Sequence, residues 1–299
     1  GINQIYRSDL LNKQQQHSQA VETLQKALII LSGNFNSGEI ALNPRNFVGS
    51  FASFKLFDAL HRKARTLALL YEKEKNKQYL LYAYHAYEQT ISLLRYIEKS
   101  YDTDDAKIFL NRNSEQVYDS AFVIAHQMVT YDNSKSFMGE MLVITEKSKA
   151  SVMASRITES RLKKMRGIDP ALLQEERNIN YNIARLNIKS ETTPDLVAAA
   201  KITNEREHYE IELSRLQKKI EQNSSYYKLK YSDSFPGVEA IKRNIGPRQA
   251  VISLFCVQDY LHILTITKEG VSLQAMGNLP EIKRLAEAWI TQLRTKESG

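Results

Sequence analysis

"HSQAVETLQKALIILSG", residues 17–33, decides the fold class. Ala20, Val21, Leu24, Ala27, Leu28 and Leu31 recur at helical spacing and form one apolar stripe. Gly33 follows the last of them, where a helix stop belongs. The same grammar extends outward. From Phe51 to Glu74 the apolar positions Leu56, Leu60, Ala64, Leu67 and Tyr71 repeat the spacing. "EKNK" breaks it, and "QYLLYAYHAYEQTISLLRYI" restores it with Leu81, Ala83, Tyr84, Tyr87, Ile91 and Leu94 inward. "SYDTDDAKIF" offers Asp102 or Thr103 as an N-cap for a helix reaching about Thr130. "YDNSKS" then turns the chain into "FMGEMLVITEKSKASVMASRI".

Composition agrees. Only 11 Gly and 6 Pro occur in 299 residues, so breakers are scarce and long helices are favoured. Hydrophobic residues make up 42 %, enough for a substantial core. The net charge of +7 is moderate and spread along the chain, which is no nucleic-acid signature by itself. No apolar run of membrane-spanning length occurs. One cysteine excludes an intrachain disulfide framework and a thiolate zinc cluster. The chain starts without Met and in mid-pattern, so a piece of a longer protein is expected; a cytoplasmic setting is the expectation for it.

Helix, turn, antiparallel helix, repeated, leaves each pair with an unburied stripe, so neighbours must stack. The second helix of a tetratricopeptide repeat needs a small residue, a large one four later, and a small one three later. Ala20–Leu24–Ala27 and Ala83–Tyr87–Thr90 meet this; Met141–Thr145–Ser148 meets the spacing but not the sizes. A plain helical bundle is the competing reading. From Pro170 the period tightens. Leu172, Ile179, Ile183 and Leu186 form one seam; Ile202, Arg206, Tyr209, Leu213, Leu216 and Ile220 form another with heptad steps. An antiparallel coiled hairpin is expected, its second helix opened by Thr193 and Pro194.

The grammar changes at "QAVISLFCV" and "YLHILTIT", two β-rich runs around Gln258-Asp259. "KEG" turns into "VSLQA", and "NLPEIKRLAEAWITQL" returns to helix with Asn278 as its cap. Both strand faces are apolar, so an inner position in an α/β domain is expected. The expected architecture is therefore mainly α. Helical repeats occupy 1–165, a coiled hairpin 166–235, and a small β-meander with a C-terminal helix, the opening part of an α/β domain, 236–299.

Cys256 and His262 raise the question of a cysteine hydrolase. A two-residue hairpin at Gln258-Asp259 sets Cys256 opposite Leu261 and Phe255 opposite His262. The thiol and the imidazole then face opposite sides of the sheet, and Cys256 reads as a small apolar filler. No phosphate-binding loop, nucleophile elbow or metal-ligand spacing occurs, and no catalytic, metal or cofactor residue is expected. Two surface features remain. Tyr79, Tyr82 and Tyr84 lie close in sequence and suit peptide contact, although packing between repeats is the commoner use. Lys147, Lys149 and Arg156 open a basic run to Arg166. A solvated helix face is the commoner reason for such a run, since no aromatics are interleaved; an acidic-peptide or nucleic-acid site is the alternative.

"MLVITEKSKASVM" resembles the helix that ends the last repeat in CHAT-domain proteins, a caspase-like family associated with tetratricopeptide repeats. The family's Glu-Arg-Ser-Lys-Ala type motif reads here Glu146-Lys147-Ser148-Lys149-Ala150. "QAVISLFCVQDYLHILTITKEGVSL" is similar to the family's first CHAT strands. The family's peptidase chemistry uses a His-Gly pair and a Ser-Ala-Cys type segment. Neither occurs here, and Cys256 stands in an early strand. The resemblance thus implies a repeat and linker region, with the first part of a CHAT domain, that binds a protein or peptide partner and is itself inert.

Overall fold

The computed structural model describes residues 1–47, 53–100, 104–132, 135–149, 169–192, 195–220 and 235–296. The fold is mainly helical, with a small antiparallel sheet and a C-terminal helix. Ten helices are described: α1 (Ile2–Lys13), α2 (His17–Ser32), α3 (Ser53–Glu74), α4 (Lys77–Ser100), α5 (Asp104–Asp132), α6 (Lys135–Lys149), α7 (Pro170–Thr192), α8 (Leu196–Ile220), α9 (Val238–Asn244) and α10 (Leu279–Lys296). The strands are β1 (Val251–Val257), β2 (Tyr260–Ile266) and β3 (Val271–Met276).

The chain divides into two compact units, Gly1–Ile124 with Ala150–Ser234, and Ala125–Lys149 with Phe235–Gly299. This differs from the expected division in two places. The hairpin helices sort with the helical array, and the helix carrying Glu146–Lys149 of the motif sorts with the sheet. Contacts made by α6, described below, are the physical reason.

In the first unit α1 packs on α2, α2 on α3, and α3 on α4. Most stripe positions read from sequence are buried: Ala20, Leu24, Ala27, Leu56, Leu60, Ala64, Leu67, Ala83 and Thr90 are wholly so, whereas Tyr71 and Leu81 are only half-buried and Leu80 takes the inward place. Full burial of alanines at these sites lets helix backbones approach closely. Gly33 ends α2 in the left-handed conformation at φ 70°, where a side chain would be strained. α1 itself carries little apolar signal, since only Ile5, Ser8 and Leu11 of its residues are buried.

The hairpin of α7 and α8 closes on Ile179, Ile183, Leu216 and Ile220, with Leu172, Leu173, Tyr209, Leu213 and Phe54 packed against them. Those are the seam positions, apart from Leu173 and Phe54. Arg206 is also buried and lies 3.4 Å from Glu210 one turn on. The proposed caps Asp102, Thr103, Thr193 and Pro194 lie outside the described residues.

The second unit is built on a meander of order β1-β2-β3. Gln258 takes φ 53° in the two-residue turn, which fixes the register. Cys256 pairs with Leu261, and Phe255 with His262. One face holds Ser253, Val257, His262, Leu264 and Ile266, all buried, and α6 packs against β1 and β3. At Gly139 of α6, Val238 comes within 3.3 Å of where a Cβ would stand, so α9 is seated closely there. The other face departs from expectation. Ile252 is 63 % exposed, Leu254 and Met276 are 49 % exposed, and Cys256 is an exposed free thiol rather than a buried filler. Among the described residues no layer covers this face.

Candidate functional site

A set of three mutually bonded polar side chains lies under the covered face of the sheet. Ser253 sits at an inward position of β1 because side chains alternate along a strand. Glu146 and Lys149 stand three apart on α6, one turn, and so share a helix face. The Ser253 hydroxyl donates to Glu146 Oε1 at 2.6 Å. Lys149 Nζ donates to Ser253 Oγ at 2.8 Å and to Glu146 Oε1 at 2.9 Å. Burial alone would raise the Glu146 carboxyl. The bonds from Ser253 and Lys149 and the Lys149 charge outweigh it and hold the carboxyl below its ordinary value.

Serine, lysine and carboxylate together invite a nucleophilic reading. Their hydrogen bonds oppose it. An activated serine must give its proton to an unprotonated base with room for substrate at the oxygen. Here the hydroxyl points at a carboxylate already paired with an ammonium, and Ser253 is only 3 % exposed. The three groups satisfy one another and clasp α6 to β1.

Beside the clasp, His126 from the end of α5 meets His262 of β2 edge-on, ring centroids 5.4 Å apart. Tyr260 lies 6.2 Å from His262. Burial lowers both imidazoles, and the His126 charge lowers His262 further. Both rings are therefore neutral at pH 7. His61 is also a packing residue, between Phe57 and Tyr87, and burial with the nearby Arg65 charge lowers it to about 4. Among the described residues no group of three His, Cys, Asp or Glu could hold a metal ion.

The sequence-derived candidates separate. Cys256 and His262 are on opposite faces of one ladder. Tyr84 is buried and stacks edge-on with His85, so it packs rather than presents itself, whereas Tyr79 and Tyr82 are half-buried. Lys149 is committed to the clasp. Lys147 is half-buried, and Arg156 lies outside the described residues. A feature the sequence did not announce is an open groove of about 570 Å³ along the α7–α8 hairpin. Gln174, Asn178 and Asn182 line it from α7 and Tyr209 from α8, with Glu175 and Glu212 offsetting the charges of Arg215 and Lys219. The amide side chains recur every fourth residue, a spacing that could have been read as one polar helix face.

No protein-family model matches the chain, and no curated protein or solved structure does either. None of the described helices is long and apolar enough to cross a membrane.

Proposed function

We propose that the chain is a protein-interaction scaffold, the regulatory region of a protein of the tetratricopeptide-repeat and CHAT class, and that it breaks no bonds itself. The observation that carries this reading is the register of β1 on β2, which puts Cys256 and His262 on opposite faces. The closed bonding of Ser253 with Glu146 and Lys149 adds to it, because no side chain there is left to attack a substrate.

The helical elements supply surface. The hairpin groove offers the Asn178 and Asn182 amides to a peptide backbone, with Tyr209 and charges of both signs, Glu175 and Glu212 against Arg215 and Lys219, beside them. Tyr79 and Tyr82 add half-buried aromatic area at the start of α4. A peptide or protein is the partner this chemistry favours, held through its backbone rather than selected by its net charge.

Photo-crosslinking in cells tests the reading. A photoreactive residue replaces Tyr82 or Asn178, with Glu269 in the β2–β3 turn as control. The expected result is a defined polypeptide captured at Tyr82 or Asn178 and not at Glu269. Equal capture at all three sites, or oligonucleotide binding with steep salt dependence, would overturn it.

A further inference from the structure

The groove of the α7–α8 hairpin lies on one flank of the helix pair. The other flank is closed, since Asn180 and Ala184 of α7 and Glu210 and Ser214 of α8 are buried. On the open flank the amides are held in order. Arg177 donates from Nε and Nη2 to Gln174 Oε1 at 3.2 and 2.6 Å, and Gln174 Nε2 donates to Asn178 Oδ1 at 3.0 Å. Each group fixes the next. Asn178 Oδ1 is thereby taken, while its Nδ2 keeps two donors to offer. Asn182 follows four residues on and is half-buried, and among the described residues nothing bonds its amide.

We propose, on the scaffold reading above, that this groove takes an extended polypeptide segment rather than a helix, and that Asn178 and Asn182 bond every second residue of it. Two observations choose the extended form. The first is the groove floor. Ile179 and Leu216 line it but are only 6 % and 2 % exposed, because the hairpin seam has already used them. An amphipathic helix docks by burying an apolar stripe, and its backbone groups are bonded within itself. Such a helix finds little apolar area here and has nothing to give the amides. An extended chain brings one N–H and one C=O per residue.

The second observation is spacing. Residues four apart on α7 stand about 6 Å apart along the helix axis. In an extended chain the N–H and C=O of one residue point to the same edge, and that edge repeats every second residue, about 6.6 Å. The two intervals agree to within about 1 Å. The Asn182 amide then accepts the N–H and donates to the C=O of one residue, and Asn178 Nδ2 donates to the C=O of the residue two away. From Ala171 to Asn182 the axis runs about 16 Å, the length of about five extended residues. Tyr209 gives one side chain of the segment an aromatic surface. Glu175 and Glu212 offset Arg215 and Lys219, so the groove reads backbone shape before charge.

A phage-displayed library of random peptides, selected on the full chain, supplies the probe. The selected peptide is titrated by fluorescence anisotropy against the wild-type protein, Asn178→Ala and Asn182→Ala. It is then remade with an N-methyl group at each backbone nitrogen in turn. Each Asn variant should keep its helical circular dichroism and bind about tenfold more weakly. A methyl on the edge facing the amides removes a donor or collides with them, whereas one on the far edge meets water. Damaging and tolerated methyl positions should therefore alternate along about five residues of the peptide. Full affinity for both Asn variants would overturn the inference and spare the scaffold reading. So would methyl effects that recur every third or fourth residue, with helix induced in the peptide. A selection that yields no binding peptide would overturn both.

Discussion

The Ser253 hydroxyl and the Glu146 carboxylate meet at 2.6 Å although 107 residues of chain separate them. The motif helix is therefore fastened to the first strand by its own acidic and basic residues. Ser253→Ala removes the hydroxyl and leaves the Glu146–Lys149 pair in place. The expected cost is about 1 kcal/mol, kept small because the carboxylate is partly solvated. Chemical denaturation followed through the sheet measures it. Because the Glu146 carboxyl is held below its ordinary value, the clasp contributes above about pH 4.5 and is lost as pH falls through the folded value. Ser253→Ala should therefore flatten the acid limb of the stability curve; an unchanged limb contradicts the assignment.

His126 and His262 give a second pH dependence with its own window. Both folded values lie below 6.5, so from 6.5 downward the unfolded chain takes up protons that the folded chain refuses. Stability of the second unit falls over that range and stops falling below the folded values. His262→Phe keeps a ring in the same place and removes one titration. Denaturation midpoints between pH 5 and 7.5 should show a shallower slope for the variant than for the wild type.

Ala83 marks a close approach of α4 to its neighbours and has no exposed surface. Ala83→Leu forces a larger side chain into packed space and should cost about 1–3 kcal/mol, read as lower protection of α3 and α4 in amide exchange. A neutral result would mean that α4 has room there, which its burial denies.

Leu216 is 2 % exposed in the hairpin seam. Leu216→Ala should cost about 3 kcal/mol and lower exchange protection along α7 and α8. Protection of α2 and α3 should change far less, since the seam is made by the hairpin's own helices and Phe54.

These residues also show how far sequence reading reaches. The stripes of α2, α3 and α4 were legible because burial repeats with the helical period. The β1–β2 register was legible because a two-residue turn leaves one pairing. The burial of Lys63 and Gln25 was not, since a charged and an amide side chain carry no burial signal until their partners are known. The exposure of Cys256 was not legible either, because apolar neighbours on a strand face imply a cover that the described residues do not supply. The union of α6 with the sheet rests on Glu146 and Ser253, whose distance in sequence hides their contact. α1 escaped notice because its buried face is thin, and Ser8 stands where an apolar residue would have announced it.

Reactivity of Cys256 toward a thiol-directed probe, compared between the wild-type protein and His262→Ala, tests most directly whether the two groups act apart. The thiol is exposed, so it should label in both proteins. The predicted result is the same labelling rate with and without the imidazole, at every pH from 6 to 9, and no peptide hydrolysis by either protein. A rate that drops when His262 is removed, or hydrolysis that depends on both residues, would contradict the account.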